Sequence, residues 1–184
     1  MIQHRAYVGI GSNLGDRERT LRDAFDALDA LRQTRVAARS SIYVTAPVDP
    51  AGEQQDYYNA VAALDTGLAP HSLLAALQRI ESDAGRMRQA GVRNTARTLD
   101  LDILLYDDLE LDAPGLHIPH PRLEDRAFVL APLAEIAPGC VTPRGRAVSA
   151  LLARVADQRI TRVDAPRTVQ TSGTGLEPSA GRER

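Results

Sequence analysis

Residues 97–106 read RTLDLDILLY. Side chains alternate across an extended chain, so Leu99, Leu101, Ile103 and Leu105 are expected on one face of a strand and Asp100 and Asp102 on the other. The apolar face suits a sheet packed under helices. The acidic face does not suit a core. Two carboxylates two residues apart lie roughly 6.6 Å from each other along a strand. At an effective dielectric near 20 they repel by roughly 2–3 kcal/mol. Solvent, arginine partners or a divalent cation would each offset that repulsion. Arg86, Arg88, Arg93 and Arg97 lie just upstream, in a loop with Gly91 and Asn94. Planar guanidinium forks suit phosphate oxygens, and carboxylates suit Mg²⁺, which completes its shell with phosphate and water. Acids beside arginines therefore favour a metal–polyphosphate complex.

The surrounding pattern supplies the other strands and helices. Ala6–Gly11 reads as a short strand running into Ser12-Asn13, a turn-and-cap signal. From about Asp16 to Leu31 the apolar stripe Leu21, Ala24, Phe25, Leu28, Leu31 predicts an amphipathic helix. Val36–Thr45 and Tyr57–Thr66 read as strands, separated by a Pro- and Gly-containing loop. Pro70 opens a second helix, with Leu73, Leu74, Leu77 and Ile80 on one face and Gly85 stopping it. The order up to Tyr106 is βαββαβ. This predicts an α+β fold of the ferredoxin-like kind, an antiparallel sheet with both helices on one face and the far face free for a ligand. C-terminal helical additions are expected at about Leu123–Ile136 and Val148–Ala156, after a proline-broken loop at His117–Pro121. Residues 1–164 are read as a single domain, and 165–184, rich in Pro, Gly, Ser and Thr, as a disordered tail.

Composition narrows the chemistry. The chain has 184 residues, 43% of them hydrophobic, and a formal net charge of −2, so it is no electrostatic magnet for nucleic acid or anionic membrane. All 22 basic residues are arginine, which excludes a P-loop lysine, a Schiff base and a lysine general base. The single cysteine, Cys140, excludes an internal disulfide and reads as an inert thiol. No apolar run reaches the roughly 18 residues of a membrane span, and the cytoplasm is the expected address. GIGSNLG (9–15) fits neither a dinucleotide fingerprint nor a P-loop. Its glycines are expected to turn the chain from strand to helix, with Asn13 as cap. His117 and His120 have metal-like spacing, but Pro119 between them argues against a helical zinc site. Asp107-Asp108 reads as a hairpin turn.

GIGSNLGDR (9–17), DYYNAV (56–61), QRIESDAGRMR (78–88), RTLDLDILLY (97–106) and IPHPRLEDRAFVLAPLAEIAP (118–138) together resemble the 6-hydroxymethyl-7,8-dihydropterin pyrophosphokinase family of folate synthesis, in register from about Ala6 to Pro138. The resemblance implies a Mg²⁺-dependent transferase, a kinase that moves diphosphate from ATP to the pterin hydroxymethyl group and releases AMP. By matching positions, Asp100 and Asp102 would hold two Mg²⁺ ions. Arg86 and Arg97 would contact the triphosphate and its transition-state charge. Gln78, Glu81, Arg88, Ile103, His120 and Arg126 match the ATP site, and Thr45, Ala46, Val48, Tyr57, Asn59 and Phe128 the pterin pocket. An Asn59 amide can donate and accept, as a pterin edge requires, and Tyr57 with Phe128 could sandwich a flat heterocycle. The implied partners are these two small molecules, with no nucleic acid and no membrane, acting on a monomer. Departures stand out: many members carry Trp-Gly-Pro before the arginine of RTLDLD where this chain has Arg93-Asn94-Thr95-Ala96 and no tryptophan, the segment from Arg86 to Arg97 is about one residue longer than in some members, and Pro121 replaces an aromatic after the histidine.

Two other classes fit parts of the pattern. An RNA-binding module also uses a ferredoxin-like sheet, and Tyr7 with Tyr57 could stack bases. It would have to tolerate Asp100 and Asp102 against a phosphate backbone. A nucleotidyl transferase or cyclase of the two-carboxylate kind would release pyrophosphate instead of AMP.

Overall fold

The computed structural model describes residues 4–46, 55–85 and 98–163. Strand β1 (His4–Ser12) alternates buried and partly buried residues, as a strand between two unlike layers should. Helix α1 (Arg17–Asp29) is capped by Asp16, whose carboxylate accepts the Arg19 N–H at 3.1 Å. Asn13, the expected cap, is instead fully buried. Gly15 makes the turn between them at φ +64°. Leu21, Ala24, Phe25 and Leu28 form the buried stripe.

The strand expected over Val36–Thr45 is two strands, β2 (Thr34–Arg39) and β3 (Tyr43–Thr45), both antiparallel to β4 (Tyr57–Thr66). The break is made at Ser40. Its Oγ accepts the Val61 N–H at 2.8 Å and its N–H donates to the Val61 carbonyl at 3.0 Å, so a side chain substitutes for one rung of the ladder. Helix α2 (Pro70–Asp83) begins with its proline in the first turn, where no N–H is needed.

Strand β5 (Asp100–Tyr106) lies at the sheet edge, and the order β5-β1-β4 with β2 and β3 beyond is the expected ferredoxin-like arrangement. Its register against β1 shifts between Ile103, paired with Val8, and Leu105, paired with Tyr7. Leu104 is the extra residue, and its carbonyl accepts the His120 N–H at 2.9 Å. This bulge corrects one expectation. Leu99, Leu101 and Ile103 do face α1 and α2, but Leu105 is turned to the opposite face and Tyr106 takes the helix side, its hydroxyl donating to the Leu68 carbonyl at 2.8 Å.

The remaining chain covers part of that opposite face. Strands β6 (Leu111–Ala113) and β7 (Leu116–Ile118) pair with each other through a turn at Pro114-Gly115, so His117 lies in a strand instead of a loop. Asp107-Asp108 does turn the chain, with the Leu109 N–H donating to the Tyr106 carbonyl at 3.0 Å, but it leads from β5 to β6 without pairing them as a hairpin. A 3-10 turn (Leu123–Asp125), α3 (Ala127–Ile136) and α4 (Val148–Arg154) follow. A two-residue strand, β8 (Thr161–Arg162), adds to the outer edge of β3. Leu123, Leu130, Leu133, Val148 and Leu151 form a second core with Val61, Leu104 and Leu105. The far face is therefore not wholly free: one half is roofed by α3 and α4, and the other half is open among the described residues. Val48, Arg86, Arg88, Arg93, Arg97 and the expected tail 165–184 lie outside the described residues.

Candidate active site

The open half of the sheet is a row of side chains set by strand pairing. Gly11 on β1 pairs with Asp100 on one side and Asn59 on the other, and Gly9 pairs with Asp102 and Val61. Asp100, Asp102, Gly9, Gly11 and Asn59 therefore share a face. On the next strand Tyr43 pairs with Asn59, and Thr45 with Tyr57. The result is a polar patch with acids at one edge, an amide and hydroxyl at the other, and the bare main chain of Gly11 between them, while Gly9 is covered by the Leu104 side chain. A methyl group on Gly11 would sit 3.5 Å from Asn59 Oδ1 and 3.9 Å from Asp100 Cβ. Gly11 thus leaves a trough whose floor is main chain, ended at Gly9 by Leu104. The expected turn-making role belongs to Gly15, not to these two.

Both acids are partly buried, and the Asp102 side chain keeps 49% of its surface exposed. Glu81 on α2, 2% exposed, accepts the Leu101 N–H at 2.8 Å, which ties the helix to the strand between the two aspartates. Glu81 is thus committed to holding β5 from the core side. Ile103, 3% exposed, packs in the same core, so only its main chain is available to a ligand on the acidic face. Gln78 lies partly buried on α2.

His120 borders the acids. Its Nδ1 accepts the Arg122 N–H at 3.1 Å, which leaves the proton of a neutral ring on Nε2, 3.9 Å from Asp102 Oδ2. Burial, helped by the Arg126 and Arg122 guanidinium groups, pushes its pKa down to about 4 against the opposing pull of Asp100. The ring is neutral at pH 7, so its contact with Asp102 is no ion pair. Arg126 precedes α3, with its guanidinium 5.3 Å from the centre of the Phe128 ring. Asn59, 6% exposed, donates through Nδ2 to Thr45 Oγ1 at 3.0 Å. That bond fixes the amide and leaves a second N–H on the same nitrogen. Ala46 is exposed at the end of the described segment.

Of the residues singled out in the sequence, Asp100, Asp102, His120, Asn59, Thr45 and Tyr57 come together around one open face, with Arg126 and Phe128 on the adjoining helix. Glu81 and Ile103 turn to the core. Two oxygen-donor side chains on an open face fit a hard cation such as Mg²⁺. Among the described residues no group of three or more His, Cys, Asp and Glu is assembled to hold an ion. A cation at this pair would complete its shell from substrate oxygens and water. The bare main chain at Gly11 has no local signal in the sequence, because Gly11 meets Asp100 and Asn59 only through strand pairing.

The chain resembles known proteins along most of its length. A model of the family described as 7,8-dihydro-6-hydroxymethylpterin-pyrophosphokinase matches residues 7–138. The 2-amino-4-hydroxy-6-hydroxymethyldihydropteridine pyrophosphokinase of Pseudomonas aeruginosa is 49% identical over 153 residues, covering 83% of this chain and 92% of the relative. The enzyme of the same name from Haemophilus influenzae is 40% identical, covering 86% and 98%. A solved HPPK-DHPS in complex with substrates superposes with a TM-score of 0.68 at 12% identity, covering 85% of this chain. This chain spans 44% of that longer protein, and the likeness speaks for the fold alone. The chain belongs to the 7,8-dihydro-6-hydroxymethylpterin-pyrophosphokinase family.

Proposed function

We propose that the protein transfers the terminal diphosphate of ATP to the hydroxymethyl group of 6-hydroxymethyl-7,8-dihydropterin, giving AMP and the pterin diphosphate, with two Mg²⁺ ions held by Asp100 and Asp102. The observation that carries this reading is the pair of aspartates on an open sheet face, separated from Asn59 by a glycine floor. A flat ring laid against bare main chain would meet Asn59 and Thr45 at its polar edge, with Tyr57 and Phe128 as aromatic walls and Ala46 at the rim. The triphosphate would extend toward the acids, with His120 and Arg126 beside the nucleotide, Gln78 and the main chain of Ile103 near it, and Glu81 holding the strand from below.

In the reaction the pterin hydroxyl oxygen loses its proton to solvent and forms a bond to the β-phosphorus of ATP, the bond from that phosphorus to the α–β bridging oxygen breaks, and AMP leaves with that oxygen. Bound Mg²⁺ would neutralise charge on the transferring group and align the two oxygens. Among the chain's own residues, Asp100 and Asp102 bind and orient, and Arg86, Arg88 and Arg97 spread the transition-state charge. Asn59 and Thr45 place the hydroxymethyl group. A monomer acting in the cytoplasm suffices for this chemistry.

The test is to incubate the full chain with ATP, Mg²⁺ and the hydroxymethyl pterin and resolve the nucleotide products. Stoichiometric AMP and pterin diphosphate are expected, with loss of turnover when Mg²⁺ is chelated. Release of pyrophosphate or ADP in place of AMP would overturn the reading, the former in favour of nucleotidyl transfer.

A further inference from the structure

Two side chains of the C-terminal layer reach the site's walls from behind. Gln158, beyond α4, accepts the Ala127 N–H through Oε1 at 2.9 Å and donates from Nε2 to the Asp125 carbonyl at 2.8 Å. These backbone groups flank Arg126, which begins α3 in an extended conformation (φ −126°, ψ 107°) and supplies no side-chain cap itself. A distant amide thus satisfies the first N–H of the helix and fixes the backbone that aims Arg126 and Phe128.

At the other end of α3, the Glu135 carboxylate accepts from the Ser41 N–H at 3.1 Å, the Ser41 hydroxyl at 2.7 Å and the Tyr43 hydroxyl at 3.0 Å. It also lies 3.6 Å from the Arg162 guanidinium on β8, the strand that pairs with the outer edge of β3. Its side chain is 28% exposed, so each bond is weaker than a buried one. Their value lies in number and direction: three donors converge from residues two and four positions before Thr45. A single helix is therefore pinned at its start by Gln158 and tied near its end to the strand carrying Thr45.

We propose that Gln158 and Glu135 are positioning residues for the pterin pocket, holding the start of α3, with Arg126 and Phe128, at a fixed distance from β3, with Thr45. The inference rests on the pocket reading given under Proposed function. Neither residue touches substrate. Each acts through the backbone next to a residue that does, and displacements of about 1 Å there are costly to a bound reactant.

The experiment compares the full chain with Gln158→Ala, Glu135→Ala, Glu135→Gln and Tyr43→Phe. It measures the affinity for the hydroxymethyl pterin in the presence of Mg²⁺ and a non-hydrolysable ATP analogue, and steady-state KM and kcat. Both alanine variants should weaken pterin binding by roughly tenfold. Gln158→Ala should also raise the KM for ATP, through Arg126, whereas Glu135→Ala should leave it unchanged. Glu135→Gln keeps an acceptor and should recover most of the affinity. Tyr43→Phe removes one donor without a cavity and should cost about two- to threefold, which keeps the test open should Glu135→Ala fail to fold. A lowered melting temperature with unchanged pterin affinity in all variants would overturn the inference. Failure of the unsubstituted chain to bind the pterin would overturn the pocket reading and this inference with it. The two failures are distinct, because in the first the parent protein binds.

Discussion

Gly11 shapes the site by lacking a side chain. It lies between Asp100 and Asn59, and an added methyl would meet both at ordinary contact distances of 3.9 and 3.5 Å. The Gly11→Ala variant should therefore fold normally, with stability within about 0.5 kcal/mol of the parent, yet raise the KM for the pterin by about tenfold by filling the trough. Equilibrium unfolding and initial rates check both halves of that expectation. An unchanged KM would mean that no ligand approaches the floor. At this scale the sequence disclosed the acids well, because alternation in LDLDI is a strictly local rule. It did not disclose the floor, since the glycines acquire their neighbours only through pairing of β1 with two strands distant in sequence. Nor did alternation alone show that Glu81 faces the core, where helix α2 carries it under Leu101.

Element boundaries followed the apolar periodicity closely for α1, α2 and β4, which bury one clear face or run through the middle of the sheet. Alternation failed where a side chain or a bulge interrupts the ladder. Ser40 divides β2 from β3, and the shift at Leu104 sends Leu105 to the second core. Both are tertiary events with no local signature. The same holds for β8, whose two residues form a strand only because β3 presents an edge. The bond from the Leu101 N–H to Glu81 is where α2 fixes β5. Replacing Glu81 by Ala strips a buried N–H of its acceptor and should cost about 1–3 kcal/mol. The melting temperature should fall by roughly 2–4 °C per kcal/mol. A melting curve identical to that of the parent would show that β5 does not depend on this tie.

Across the whole molecule, one face of the sheet is sealed by α1 and α2, and the other is divided between the α3–α4 roof and the open site. Far from the site, Asp65 on β4 joins three strands, pairing with Arg5 of β1 at 2.6 Å and Arg35 of β2 at 2.5 Å. The Arg35 hydrogen bond, and then that of Arg5, hold its carboxyl below the ordinary range against the opposing effect of burial. A depressed folded pKa gives stability that is present above the unfolded value, about 3.9, and is lost as pH falls through the folded value. Asp65→Asn should therefore lower stability at pH 7 by about 1 kcal/mol and flatten the loss below about pH 4. A parallel acid limb in parent and variant would contradict the linkage. The ferredoxin-like order was legible from the elements up to Tyr106, whereas the roof was expected only as helices of unassigned position, because what α3 covers depends on the face to which the Leu104 bulge turns Leu105. Metal binding by the two aspartates is tested by Mn²⁺ binding with an ATP analogue, measured together with turnover, in Asp100→Ala and Asp102→Ala. Fewer bound ions, a folded protein and a loss of turnover by about a hundredfold or more are expected. Full metal stoichiometry with normal turnover in both variants would contradict that assignment.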